Sequence, residues 1–376
     1  MSFPIQLAFE RFYSCFADSQ PDYSHYNKVA SAIINCKSGS LGCNISVCDD
    51  CGHVSVHNNS CRNRHCPCCQ IMHKELWIDS RMAETIDCPY FHAVFTVPSE
   101  LNELILFNKK ELYSLMHKAS ARTLLELASD KKYLGATAGI IQVLHTWGQK
   151  LDFHPHIHCI VMGGGLTPDR KFVRSSKDFF IPVKVLSKKF RGKFLALLSD
   201  LHSNGKLFVP DSISDWNSFM DSLYNKEWIP FIKETFDGAA NAVSYLGRYT
   251  HRIAISNSRI LEVTDSSVSF RYKDYRDNHT DKVMTLEGTE FIRRFLLHVL
   301  PRGFTRIRYY GILSNRTRKD KIAIIRTQTV RLKFRSRYDG LSTEVRILAM
   351  FGIDLRECPC CKSRNYHQVK SFHLRN

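Results

Sequence analysis

The period of the hydrophobic positions changes along the chain. Residues 90–97 (YFHAVFTV) are β-branched and aromatic and stop at Pro98, which predicts a strand. Ser99 stands where a helix cap is expected, and residues 109–128 (KKELYSLMHKASARTLLELA) carry apolar side chains at helical spacing. Residues 139–147 (GIIQVLHTW) and 156–162 (HIHCIVM) predict two further strands, and the Gly163-Gly164-Gly165 run reads as the turn that follows. Helical periodicity returns near residues 187–202 and from about Ile229 to Tyr249, and 252–256, 259–264 and 267–273 alternate like a small antiparallel meander. The connections are too irregular to require a parallel sheet, so the expected fold class is α+β with a mainly antiparallel sheet.

Composition divides this pattern into three stretches. Residues 1–85 hold nine of the 14 cysteines, 86–300 carry the mixed α/β pattern, and 301–376 are strongly basic before a second small cysteine cluster. A net charge of +17 over 376 residues, with 44% hydrophobic residues, excludes a wholly disordered or fibrous chain and points to a polyanionic partner, nucleic acid first. No apolar run reaches membrane-spanning length and the first 20 residues lack a signal pattern, so a soluble cytoplasmic protein with no membrane partner is expected. In that reducing compartment cysteines serve as metal ligands more often than as disulfides.

Two thiolate pairs, Cys48-x2-Cys51 and Cys66-x2-Cys69, have the form of a structural Zn²⁺ site. Cys61, His65 and Cys68 crowd the same stretch and leave the ligand set open, while Arg62, Arg64 and Lys74 give it a basic edge suited to phosphate. Cys358-x2-Cys361 forms half or all of a second zinc site.

The pentapeptide HPHIH at 154–158 holds the chain's clearest chemistry. On a strand, His156 and His158 project from one face, about 7 Å apart along the chain, while Ile157, Cys159 and Val161 fill the other. Such a pair can converge on one divalent ion, with a further ligand from Gln149, His145 or His154. Tyr245 and Tyr249 are four residues apart in a helical pattern and so share a face. Such aromatic pairs mostly pack into cores, but Arg248, His251 and Arg252 surround these two with phosphate-binding charge. From Arg302 to Arg337 twelve Lys and Arg, among them Arg306, Arg308, Arg316 and Arg318, stand against one acid, Asp320. Phe304, Tyr309, Tyr310 and Phe334 interleave with them, a pattern suited to single-stranded or hairpin DNA.

FTVP at 95–98, HPHIH at 154–158 and Tyr-x3-Tyr at 245–249 occur in the order of the three HUH-endonuclease motifs. Together with CRNRHCPCCQ (61–70), HTWGQKLDFHPHIH (145–158), YLGRYTHRIAISN (245–257) and RYYGIL (308–313), the chain resembles the two-tyrosine rolling-circle transposases of the IS91 family, which are related to Helitrons. That resemblance implies a ferredoxin-like, RRM-like HUH core between an N-terminal zinc module (1–85) and a basic C-terminal DNA-binding region (301–376). It implies Mg²⁺ or Mn²⁺ on His156 and His158, with Gln149 as third ligand by position. It also implies Tyr245 and Tyr249 as nucleophiles in single-strand cleavage and strand transfer through a 5′-phosphotyrosine, on transposon ends and a single-stranded target in the bacterial nucleoid. Of the two tyrosines we expect Tyr249 to be the less replaceable. A plasmid-type replication initiator or relaxase with the same chemistry, and a non-catalytic zinc-containing DNA-binding protein, are the alternative readings.

Overall fold

The computed structural model describes residues 3–20, 25–175, 181–233, 241, 243, 245, 247, 254–275, 277–329 and 336–373. Helices α1 (Pro4–Ser19) and α2 (Asn27–Ile34) precede the hairpin β1 (Cys43–Cys48) and β2 (Val54–Asn58), then α3 (Gln70–Met82) and β3 (Tyr90–Thr96). A 3₁₀ turn at Ser99–Leu101 leads into α4 (Asn102–Phe107) and α5 (Lys109–Ser129), followed by β4 (Thr137–Trp147), β5 (Phe153–Leu166) and β6 (Phe172–Arg174). Next come α6 (Val183–Ser203), α7 (Trp216–Asn225) and β7 (Phe231–Lys233), and then β8 (Ile260–Val263), β9 (Ser267–Asp274) and β10 (Thr280–Glu287). The chain continues with α8 (Gly288–Leu297), β11 (Ile307–Gly311), α9 (Arg318–Arg326), α10 (Thr343–Phe351) and β12 (Tyr366–Ser371).

The central sheet runs β11-β4-β5-β3-β7, with β6 added beside β5, and every pairing in it is antiparallel. The expected α+β, mainly antiparallel class is what forms. Period-two alternation gives the sheet two faces. One carries Phe91, Ala93, Phe95, Ile140, Leu144, Ile157, Cys159 and Val161 and packs under α5 and α6 in the largest core. On the other, Ile141, Val143, Ile160 and Met162 pack with Ile322 and Ile325 of α9 and with Trp77 of α3. β5 is therefore buried on both sides, as its apolar run predicts.

Four elements depart from the sequence pattern, the first being the expected strand at 252–256: its described residues, 254–256, form a bend and coil, and the third strand of the meander is β10. Gly163, Gly164 and Gly165 do not turn the chain but extend β5, because neighbours press against them: a Cβ at Gly165 would lie 2.6 Å from the Thr137 carbonyl oxygen, and one at Gly164 2.6 Å from the Phe172 ring. Ser99 makes no cap; its hydroxyl bonds Glu100 beside a 3₁₀ turn. Residues 231–233 are an edge strand paired with β3, not helix, whereas Asn241, Val243, Tyr245 and Gly247 are helical.

Packing crosses the three compositional stretches. α1 starts with Pro4 at its first turn and buries Ile5, Phe9, Phe12 and Phe16. Those side chains share a second core with Ile33, the β8–β10 sheet and α8, where Phe9 meets Phe295 edge-on at 5.1 Å. At the other end of the chain, β12 pairs with β1, so the last strand completes a sheet begun by residues 43–58.

Candidate active site and cysteine clusters

Cross-strand register builds the histidine site. His145 on β4 stands directly opposite His156 on β5, and His158 follows two residues later, so all three point from the same face. Their ligand nitrogens lie within 4.8 Å of one another, and the Nε2 atoms of His156 and His158 are 3.1 Å apart. That spacing suits two ligands of a single ion with ~2.1 Å bonds. Pro155 sits where β4 and β5 slip register, in an irregularity that tolerates its missing N–H.

Outer contacts set each ring. His156 Nδ1 donates to the His154 carbonyl at 2.6 Å, which leaves Nε2 as the lone-pair nitrogen facing the site. His158 Nδ1 is 2.9 Å from Nε2 of His92, a buried residue of β3. The His145 ring stacks on Trp147 at 4.5 Å, and the Arg306 guanidinium covers that indole at 5.0 Å. Burial, with the neighbouring His154 second, pushes His156 down to about 3, so its imidazole is neutral and able to ligate at neutral pH.

Tyr245 reaches the same corner: its ring meets that of His92 at 5.1 Å, edge-on. Gly247, two residues on, would drive a Cβ to 2.3 Å from the Ile78 side chain of α3, so its lack of a side chain leaves room for Ile78 there. Tyr249, Arg248 and Arg252 lie outside the described residues.

Gln149 does not join the histidines. β4 ends at Trp147, the chain turns through Gly148 and through Leu151 at φ 59°, and the Gln149 amide instead lies 3.2 Å from the Tyr275 hydroxyl. His145, one of the upstream candidates, lies beside His156 and His158 because it is in register with His156.

The cysteines also regroup. Cys66 and Cys69 come together with Cys36 and Cys61, with Sγ separations of 3.6 Å for Cys36–Cys69 and Cys61–Cys69. Cys48 and Cys51 do not meet them but cluster with Cys358 and Cys361. Each set spaces its sulfurs like the edges of a tetrahedron with ~2.3 Å metal bonds, and much too widely for disulfides. Two C-x2-C knuckles separated by a short loop suggest one site; here each is turned toward partners on a different element.

Several arginines expected to meet phosphate are engaged by the protein. Arg64 donates to the carbonyls of Phe304 (2.6 Å), Pro301 (2.8 Å) and Leu300 (3.4 Å). Arg306 donates to the Leu144 carbonyl, Arg308 to Ser114 Oγ, and Arg318 pairs with Glu84 at 2.9 Å. Arg62 and Arg316 are exposed. Lys28, Arg64, Lys109 and Arg302 line a cleft of about 680 Å³ between α2 and the segment after α8.

Comparison with known proteins places this architecture. Residues 139–321 match the family model described as putative transposase, and residues 8–97 match the transposase zinc-binding domain. A putative transposase, y4qJ of Sinorhizobium fredii, is 44% identical over 364 residues, covering 92% of this chain and 89% of the relative. The transposase for insertion sequence element IS801 of Pseudomonas savastanoi pv. phaseolicola is 29% identical over 301 residues, covering 77% and 70%. Among solved structures, the metal-free conjugative relaxase TrwC in complex with OriT DNA is matched over 42% of this chain and 71% of that one, at 13% identity and a TM-score of 0.24. The copper-bound form of that complex is matched over 52% and 68%, at 14% identity and a TM-score of 0.23. The chain is thus a DNA transposase by class. It belongs to the IS91 family, whose members carry an N-terminal zinc-binding domain.

Proposed function

We propose that this transposase is an HUH-type single-strand DNA endonuclease and strand transferase that works through a 5′-phosphotyrosine intermediate. The observation that carries the reading is the convergence of His145, His156 and His158 on one sheet face, with Tyr245 beside them across His92. A divalent ion held by the three imidazoles would act as a Lewis acid on the scissile phosphate. An all-nitrogen ligand set favours Mn²⁺ over Mg²⁺, which prefers oxygen donors.

The chain's own residues supply the remainder. The Tyr245 phenolic oxygen attacks phosphorus as its proton is lost, the P–O3′ bond breaks, and the released 3′ oxygen takes up a proton. A free phenol has a pKa near ~10, so at neutral pH attack needs neighbouring positive charge or a base. The new phosphotyrosine keeps the bond energy of the phosphodiester, and reversal by a different 3′-OH joins strands without a nucleotide cofactor. Tyr249 is proposed as the second nucleophile on its sequence position alone, four residues from Tyr245.

Single-stranded or hairpin transposon ends are the proposed substrate, held by exposed cations such as Arg62 and Arg316 and by the basic cleft beside α2. The proposed setting is the bacterial cytoplasm, at the nucleoid. Cys36, Cys61, Cys66 and Cys69 are the proposed structural Zn²⁺ ligands of the N-terminal domain. Among the described residues no helix is long and apolar enough to cross a membrane.

The test is covalent trapping. Protein, Mn²⁺ and an end-derived single strand should give a protein–DNA adduct that survives denaturation, and replacing both Tyr245 and Tyr249 by Phe should abolish it. An undiminished adduct in that double variant would remove both tyrosines from the chemistry.

A further inference from the structure

We infer that the chain's two ends are joined by a structural zinc ion held by Cys48 and Cys51 from the front and Cys358 and Cys361 from the back. Cys358 and Cys361 lie outside both regions matched by the family models, 8–97 and 139–321. The four sulfurs lie within 4.8 Å of one another, with Cys48–Cys361 at 3.6 Å and Cys51–Cys358 at 3.7 Å. Those separations suit the edges of a thiolate tetrahedron around Zn²⁺.

The two knuckles repeat each other bond for bond. In the first, Gly52 N donates to the Cys48 carbonyl at 2.9 Å and Cys48 N to the His53 carbonyl at 3.0 Å. In the second, Lys362 N donates to the Cys358 carbonyl at 3.0 Å and Cys358 N to the Ser363 carbonyl at 2.9 Å. The equivalent fourth residues, Gly52 and Lys362, both adopt left-handed backbone, at φ 69° and 63°. A lysine held in that conformation without the freedom of glycine points to a geometry imposed by what the loop encloses. Asp49 N donates to the Asn365 carbonyl at 2.9 Å, the Asp50 carboxylate accepts from Asn365 and Ser363, and β12 pairs along β1.

What the unit lacks is an apolar core. Its buried cluster consists of Cys48, Cys358 and Tyr366, while Val54, Val56 and Val369 on its strands are more than half exposed. A three-stranded sheet with so little buried surface needs another source of stability, and a tetrathiolate metal supplies it directly. The ion would tie the segment that follows α10 to the N-terminal module, beyond the anchorage that β11 and α9 already have on the central sheet.

Alkylation of the unmodified, zinc-loaded protein, read residue by residue by mass spectrometry, tests this without any variant. Cys360 and Cys361 are adjacent and both exposed, yet only Cys361 belongs to the cluster. Cys360 should label at once, whereas Cys361, Cys358, Cys48 and Cys51 should be protected and become reactive together when a chelator removes zinc. Labelling of Cys361 at the rate of Cys360 before chelation would overturn the proposal. Zinc counting gives a second arm, in a His156→Ala/His158→Ala background so that the imidazole site does not contribute. The Cys358→Ser/Cys361→Ser pair should lower the count from two to one per chain, and adding Cys48→Ser/Cys51→Ser should lower it no further. A pair variant that keeps both ions, or a quadruple variant that loses both, would refute a shared site. Neither arm measures DNA cleavage, so failure here leaves the proposed endonuclease reading untouched.

Discussion

His92 Nε2 lies 2.9 Å from His158 Nδ1, with the two rings within 8° of parallel, and the ring of His92 also meets that of Tyr245 edge-on at 5.1 Å. This one side chain links the histidine cluster to the candidate nucleophile. If His158 is to ligate through Nε2, its Nδ1 carries the proton and His92 accepts it, which fixes both the tautomer and the ring plane. Removing such a partner typically weakens metal binding ~10–100-fold. His92→Gln, which retains an acceptor, should bind Mn²⁺ within a few-fold of the parent by calorimetry. His92→Leu should lose affinity by roughly the factor above and recover cleavage at high Mn²⁺. Equal metal affinity in the two variants would reduce His92 to a packing residue.

Exchange of the third ligand gives a sharper contrast. His145→Ala should lower Mn²⁺ affinity by more than the ~100-fold upper bound for an outer partner, because a direct donor is gone. Gln149→Ala should leave affinity unchanged and remove only the side-chain contacts to the Tyr275 hydroxyl and the Lys273 N–H. A loss confined to the Gln149 variant would mean that the loop after β4 rearranges to deliver the amide.

The arginines separate into two groups by what they touch. Arg64→Ala should destabilise the fold by about 1–3 kcal/mol in total, since three carbonyls after α8 lose a charged donor but the residue is partly open to solvent. Arg316→Ala should leave urea unfolding unchanged. On single-stranded DNA it should lower the slope of log K against log salt by about 1. Fluorescence anisotropy at four salt concentrations measures this, and an unaltered slope would take Arg316 out of the interface.

The sequence pattern carries local geometry well and distant partnership poorly. HPHIH was readable because a strand has period two, so the apolar face of Ile157, Cys159 and Val161 and the ligand face of His156 and His158 separate on sight. That His145 rather than Gln149 lies with His156 and His158 depends on register between strands and on the turn at Gly148, neither of which spacing reveals. Both C-x2-C knuckles were visible, but Cys358 stands 307 residues beyond Cys51, and only folding chooses between such partners. β10 is faint for a different reason: its inward face is Lys282, Met284 and Leu286, none of them fully buried and the first charged, while apolar Val283 stands on the exposed face, so the apolar alternation is weak. Charge was equally readable, yet nothing in the composition says that Arg64 and Arg306 are taken up by backbone carbonyls.

His298 makes acid stability testable. It is buried against Trp147 and Phe153, with Nδ1 3.2 Å from Thr146 Oγ1 and Nε2 3.2 Å from the Leu151 carbonyl. Burial, with some help from Lys109, pushes it down to about 3 from an ordinary 6.5. The folded state therefore holds this imidazole neutral while the unfolded chain protonates it. Between those two values the unfolded state binds the extra proton, so the contribution is fully present above pH 6.5 and is lost as pH falls toward 3. One such proton changes stability by ~1.4 kcal/mol per pH unit. His117, buried beside Gln142 and likewise pushed down to about 3, adds a second. Urea unfolding of His298→Gln between pH 4.5 and 6 should therefore show a slope against pH shallower than the parent's by about that one-proton amount, whatever the variant's absolute stability. Protonation of the cysteine and histidine clusters is common to both proteins and cancels in the difference. Parallel slopes would mean that His298 is protonated in the folded protein as readily as in the unfolded chain.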